Sequence, residues 1–248
     1  MTVVVDPDRE LEELRLYLGD AFDETALQSH EQRLMEELEA APDEESLYRS
    51  SQMYLYDLTV FAMSRTKAPY VDLLTRHVAP GARLLDLGCG IGADGLALLE
   101  AGYDVTFADF DNPSTAFLRW RLEHRGLKAT IVDLDRDPLP SGHDLAYAFD
   151  VIEHVPDPFA FLRTMEAAAT RVLVNVLEPE EGETTLHHEL PVKALEAHAA
   201  AQHLVALEVH HGRSHVLLYR TGPSSGVARL RSRAVLAGAR ARRMLRRS

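Results

Sequence analysis

The sequence predicts an α/β fold, a doubly wound sheet with helices on both faces, and three observations carry that expectation. The first is Leu84-Leu85-Asp86-Leu87-Gly88-Cys89-Gly90-Ile91-Gly92, an apolar run that ends in an acid and then sets glycines at alternate positions. Leu84, Leu85 and Leu87 suit a buried parallel strand, and the helical pattern from Ala93 to Glu100 supplies the helix into which such a loop opens. The second is the regular alternation of strand and helix patterns that follows, which implies a parallel sheet. The third is a pair of apolar runs near the end, Leu204 to Val209 and Val216 to Tyr219, joined by a short glycine-containing turn. They read as a hairpin, so one antiparallel strand is inserted late.

Taken in order, the chain opens with helical patterns and no strand candidate up to His77. Asp23 caps a helix expected to run to about Ala40, with Leu27, Leu34 and Leu38 among its apolar positions. Pro42 to Glu45 starts a second, which continues through Leu47, Tyr48, Met53, Tyr54, Tyr56, Leu58, Phe61 and Met63. Its aromatics and methionines fit either simple packing on the sheet or a lid that excludes water from a site. After the glycine loop the patterns give a strand from Val105 to Ala108, a helix from Pro113 to Arg125 and a strand from Ala129 to Val132. A strand from Leu145 to Ala148, a helix from Pro158 to Ala169, a strand from Arg171 to Val176 and a helix from Pro191 to Ala201 precede the hairpin.

Composition fits one such domain with additions: residues 1–77 as a helical N-terminal lid, 78–220 as the nucleotide-binding domain and 221–248 as a basic tail. The lone Cys89 forms no internal disulfide and reads as a small packing residue in the loop. Neither a signal peptide nor an apolar run of membrane-spanning length is evident, so a soluble, cytoplasmic protein is expected. The net charge of -13 hides an asymmetry, because all 39 acids precede Thr221 while the tail carries eight arginines and no acid. So acidic a body repels a phosphate backbone, which excludes nucleic acid as its substrate. From Val227 onward Leu230, Ala234, Ala237, Ala241 and Leu245 share one helical stripe, with Arg229, Arg233, Arg240 and Arg247 largely elsewhere on the wheel. This basic amphipathic helix fits docking on the acidic body, fraying in solvent, or weak contact with a membrane surface or anionic partner.

Two cofactors compete for the glycine loop, since Gly90, Gly92 and Gly95 also satisfy the G-x-G-x-x-G pattern of NAD sites, with Asp109 about twenty residues on. Were Gly90 the first dinucleotide glycine, the strand would run through Asp86 and Gly88 and bury an unpaired carboxylate. With Gly88 first, Asp86 sits at the carboxyl end of the strand, facing the ligand. A carboxylate there can receive an α-ammonium group but would repel a pyrophosphate. That favours S-adenosylmethionine (SAM) over NAD.

The element Asp86-Leu87-Gly88-Cys89-Gly90-Ile91-Gly92 resembles motif I of the class I SAM-dependent methyltransferases. Asp144 to Pro158, with its run Asp150-Val151-Ile152-Glu153-His154-Val155-Pro156-Asp157-Pro158, resembles the fourth strand and following turn of the ubiquinone and menaquinone biosynthesis branch. The resemblance covers roughly 78–220 and implies a Rossmann-like, seven-stranded sheet. It implies SAM contacts from Asp86, Gly88, Cys89, Gly90 and Gly92. Asp109 is expected to accept from both ribose hydroxyls, and Phe110 to lie on the adenine face. Family spacing to Leu139-Pro140 points to Asp135 as the acid near the adenine amino group, with Asp133 as the other registration and Leu134 between them, and Phe149 and Asp150 are expected beside the methionine part.

Methyl transfer asks little of a protein beyond holding the acceptor in line with an already activated donor, with a base where the acceptor is a hydroxyl or ammonium. His154, His187 and His188 are the candidates for that base. Glu153, His154, Asp157, His187 and His188 also offer metal-ligand chemistry, without any diagnostic spacing, and no metal is assigned. His210, His211 and His215 read as exposed residues of the hairpin turn. The expected reaction is methylation of a small-molecule acceptor at oxygen, nitrogen or activated carbon. A SAM-using cyclase or decarboxylase and a non-catalytic SAM-binding subunit are the alternatives.

Overall fold

The computed structural model describes residues 3–178, 187–222 and 225–247, without the side chains of 240 and 242–247. Helices α1 (Pro7–Leu18), α2 (Glu24–Gln28), α3 (His30–Ala40), α4 (Glu44–Ser50), α5 (Met53–Ser64) and α6 (Ala68–His77) lead into β1 (Arg83–Leu87). Then come α7 (Ala93–Glu100), β2 (Asp104–Asp109), α8 (Pro113–His124), β3 (Thr130–Asp133), β4 (Leu145–Ala148), α9 (Pro158–Ala168) and β5 (Arg171–Leu177). The chain continues through α10 (Val192–Gln202), β6 (Leu204–His210), β7 (Ser214–Arg220) and α11 (Gly226–Arg247). The seven strands run in the order β3-β2-β1-β4-β5-β7-β6, with β7 antiparallel to β5 and β6. The fold class is the expected one.

Two units are distinguished within the chain, one of Met1–Gly81 with Gly88–Leu139 and the other of Ala82–Leu87 with Pro140–Ser248. In the first, α1 and α5 share a core with the glycine loop and α8, built on Leu14, Leu55, Tyr56, Ile91 and Phe117. Polar caps set the helix starts. Asn112 and Thr115 form a reciprocal capping box ahead of Pro113. In the second unit β4 is buried along its whole length, and Asp157 caps α9 by accepting from the Phe159 and Ala160 amides.

Four expectations are corrected. The helix expected from Asp23 to Ala40 is broken at Ser29, whose hydroxyl donates to the Thr25 carbonyl and competes with helix continuation. The second N-terminal helix is likewise broken, at Ser51 and Gln52, where the Ser51 hydroxyl donates to Glu37 and accepts from the Tyr54 amide. Helix α1 is not among the predicted helices, although Asp6 followed by Pro7 is a cap and first-turn signal. His215 is not an exposed turn residue. It lies on β7, 2% exposed, with Nδ1 2.8 Å from Glu196 and Nε2 3.2 Å from Glu178.

Helix α11 packs on β6 and α10 within the second unit. The buried side is Ala228, Ser232 and Ala239, and the Ser232 hydroxyl accepts from the Leu204 amide at 3.0 Å. The stripe of Leu230, Ala234, Ala237 and Ala241 faces solvent, while the side chains of Arg240, Leu245 and Arg247 lie outside the described residues. No described helix is long and apolar enough to cross a membrane.

Candidate functional site

In the first unit, the loop after β1 is held by backbone bonds to β2: the Gly88 amide donates to the Ala108 carbonyl at 2.8 Å and the Cys89 amide to the same oxygen at 3.4 Å. Gly88, Gly90 and Gly92 all have positive φ, 76°, 51° and 70°. At Gly92 the constraint is core packing, because a Cβ there would lie 2.5 Å from Leu118 Cδ1 and 3.2 Å from Phe107 Cε1. Asp109 closes the loop from below. Its Oδ2 accepts from the Gly90 amide at 2.7 Å and its Oδ1 from the Phe110 amide at 2.8 Å. Burial pushes the Asp109 carboxyl above the usual range, although these two amides pull it down.

The far side of the loop is braced by a buried charge cluster. Arg121, fully buried, donates to the Ile91 carbonyl at 2.8 Å, to Glu13 at 2.7 Å and to Glu10. Arg125 adds two bonds to Glu13, at 2.6 and 2.7 Å. Burial alone would raise the Glu13 carboxyl, but the Arg125 bonds and the charges of both arginines hold it below the usual range.

At the ends of β2 and β3, Asp109 pairs in register with Asp133, and the Leu134 amide donates to the Asp109 carbonyl at 3.0 Å. The two acids left open by the sequence have different partners. Asp133 Oδ1 accepts from the Asp135 amide at 3.0 Å, whereas the Asp135 carboxylate is forked by Arg49 of α4 at 2.6 and 2.9 Å. That guanidinium holds Asp135 below the usual range and lies 4.3 Å from the Phe110 ring centroid.

In the second unit, Asp86 is buried near the end of β1, opposite Tyr147 of β4. Tyr147 and Phe149 have ring centroids 5.1 Å apart. Asp150 follows with φ +56°, a rare conformation for a residue with a side chain. Asn175, fully buried on β5, holds it there: its Oδ1 accepts from the Asp150 amide at 2.8 Å and its Nδ2 donates to Asp150 Oδ1 at 2.6 Å. The short 3₁₀ turn Ile152–His154 comes next, with Glu153 buried and the His188 amide donating to its carbonyl at 2.8 Å. The His154 and His187 rings meet edge to face at 4.9 Å. Glu153, His154 and His187 each offer a ligand atom within 4.8 Å of the others. Asp157 is spent as the α9 cap, and the His188 side chain is exposed.

Sequence reasoning missed Arg49, Arg121 and Asn175. Asn175 had a signal, an amide in the otherwise apolar run Val172 to Leu177. Arg121 had one too, a cation flanked by Leu118 and Leu122 on the apolar side of α8.

The strand order, switching direction at β1, and the glycine loop after it define a Rossmann-like doubly wound fold. Among solved structures the chain is similar to magnesium protoporphyrin IX methyltransferase from Synechocystis PCC 6803 with bound SAH, with TM-score 0.56 and 14% identity over 84% of this chain and 100% of that one. A methyltransferase-domain family model matches residues 85–171. The chain is 28% identical over 107 residues to the ubiquinone biosynthesis O-methyltransferase of Stutzerimonas stutzeri (strain A1501), covering 41% of this chain and 45% of the relative. It is 32% identical over 91 residues to that of Bordetella avium (strain 197N), covering 35% and 38%. The chain thus spans less than half the length of these curated relatives. The matched region is thus similar to a methyltransferase domain and to part of the ubiquinone biosynthesis O-methyltransferases.

Proposed function

We propose that this chain binds SAM and methylates a small-molecule acceptor at oxygen, on a phenolic or quinone-like compound. The observation that carries the cofactor is the Asp109 carboxylate anchored to the Gly90 and Phe110 amides beside a loop of three left-handed glycines. In the first unit the residues suit the group, Asp109 for the ribose hydroxyls and Phe110 for the adenine face, and the buried Asp86 is the second unit's candidate for an α-ammonium. Asp133, held by the Asp135 amide and by Arg136 at 3.3 Å, is preferred for the adenine amino group to Asp135, whose two oxygens Arg49 grips more closely at 2.6 and 2.9 Å. When bound, SAM supplies a methyl group on a sulfonium.

The acceptor end rests on the cluster after β4. The edge-to-face contact of His154 with His187, beside the buried Glu153, supports His154 as the base that takes the proton of an acceptor hydroxyl as the oxygen attacks. Methylation at oxygen also agrees with the names of the curated relatives. The test is a screen of catechols, phenols and hydroxyquinones with SAM, reading S-adenosylhomocysteine and methylated product together. Methylated product from one acceptor class supports the reading. Methylthioadenosine would indicate a cyclase or decarboxylase, and tight SAM binding without turnover a non-catalytic subunit.

A further inference from the structure

Helix α11 presents two faces of opposite use. Ala228, Ser232 and Ala239 pack inward against β6 and α10, and Ser232 is fixed by the Leu204 amide. The outward face is apolar along its centre. Val227 and Leu230 are 61% and 68% exposed, the two most exposed large hydrophobics among the described residues, and Ala234, Ala237 and Ala241 continue the line at helical spacing. Arg231 borders this stripe on one side, and Arg229 and Arg233 on the other, all exposed and without an ion pair among the described residues. Val235 and Leu236 are half-buried beside the inward line, so Val227 and Leu230 are the bulky apolar side chains of the helix that the fold leaves uncovered.

We infer that α11 is a docking surface for an anionic lipid bilayer, lying in the interface plane with Val227 and Leu230 inserted and the arginines on the headgroups. Charge complementarity selects this occupant. Eight arginines without one acid over residues 221–248 attract an anionic leaflet, in a chain otherwise strongly acidic. The stripe between the arginines selects a bilayer over a nucleic acid, because a phosphate backbone offers nothing for a leucine to enter. A surface that holds the protein where apolar acceptors partition would raise their local concentration.

The test is flotation of the full chain with phosphatidylglycerol/phosphatidylcholine vesicles and with phosphatidylcholine alone, at low and high salt. The comparison proteins are Leu230→Asp and the triple variant Arg229→Gln, Arg231→Gln and Arg233→Gln. These side chains are exposed, so both variants are expected to keep the parent's circular dichroism and melting temperature. Binding confined to the anionic vesicles, weakened by salt, lost in Leu230→Asp and cut about tenfold or more in the triple variant supports the inference. Equal flotation of all three proteins, no flotation of the parent, or binding to a DNA duplex that Leu230→Asp leaves unchanged overturns it.

Discussion

The Asp109 Oδ2 atom accepts the Gly90 amide at 2.7 Å, so the carboxylate at the end of β2 shapes the glycine loop, and the proposed SAM site gives it a second use as acceptor for the ribose. Charge-assisted hydrogen bonds contribute about 1.5 to 3 kcal/mol, so Asp109→Ala is expected to weaken SAM binding by about ten- to a hundredfold. Asp109→Asn should fall between the two, and calorimetric titration checks the order.

Because burial raises the Asp109 carboxyl, its ionisation has opposite effects on folding and binding. Its folded pKa lies above its unfolded value, so its contribution to stability is fully present below the unfolded pKa and is lost as pH rises through the folded one. SAM binding needs the ionised acceptor and should weaken as pH falls through the raised folded pKa. The prediction is an affinity that declines at a higher pH than an ordinary aspartate would give, with the decline absent in Asp109→Asn.

Arg121 ties the loop carbonyl of Ile91 to Glu13 of α1. Removing one partner of a buried pair costs about 3 to 5 kcal/mol, so Glu13→Ala should lower stability in urea unfolding by that order. Since the Glu13 carboxyl is depressed in the folded state, its contribution is present above the unfolded value of 4.5 and is lost as pH falls through the folded one. The difference between parent and variant should therefore shrink in acid.

Asn175 holds Asp150 in its left-handed turn, a conformation that costs on the order of 1 to 3 kcal/mol and persists only where the surroundings impose it. Asn175→Ala should raise the KM for SAM several-fold and lower the melting temperature, with kcat for the bound complex changed less. A variant equally active at all SAM concentrations would leave Asn175 a purely structural residue.

His154→Ala is expected to lower kcat by about 10² to 10⁴-fold without changing SAM affinity. His188→Ala should change kcat little, since that side chain is exposed and its backbone alone meets Glu153. A proton-accepting role for the cluster predicts turnover insensitive to EDTA. Loss of turnover restored by Mg²⁺ or Zn²⁺ would assign Glu153, His154 and His187 to a metal instead.

The sequence was most informative where local chemistry and burial agree. The bounds of α7 and β4 and the terminal hairpin were legible because apolar runs there end at glycines or polar turn residues. The N-terminal helices were legible as helical but not in their breaks, because Ser29 and Ser51 act through hydrogen bonds that a hydrophobic pattern does not register. The candidate site followed the same division. Candidate residues in one consecutive motif, such as Asp86 to Gly92, are readable as a group from the sequence. Arg49 and Asn175 could not, because their partners Asp135 and Asp150 are brought to them by tertiary folding alone.

Calorimetric titration of the full chain with SAM, S-adenosylhomocysteine and NAD, with Asp109→Ala alongside, bears most directly on the central claim. Micromolar binding of SAM and S-adenosylhomocysteine, weakened at least about tenfold in the variant and without heat from NAD, is the predicted result. Binding of NAD alone, or SAM affinity indifferent to Asp109→Ala, would contradict the assignment of the glycine loop.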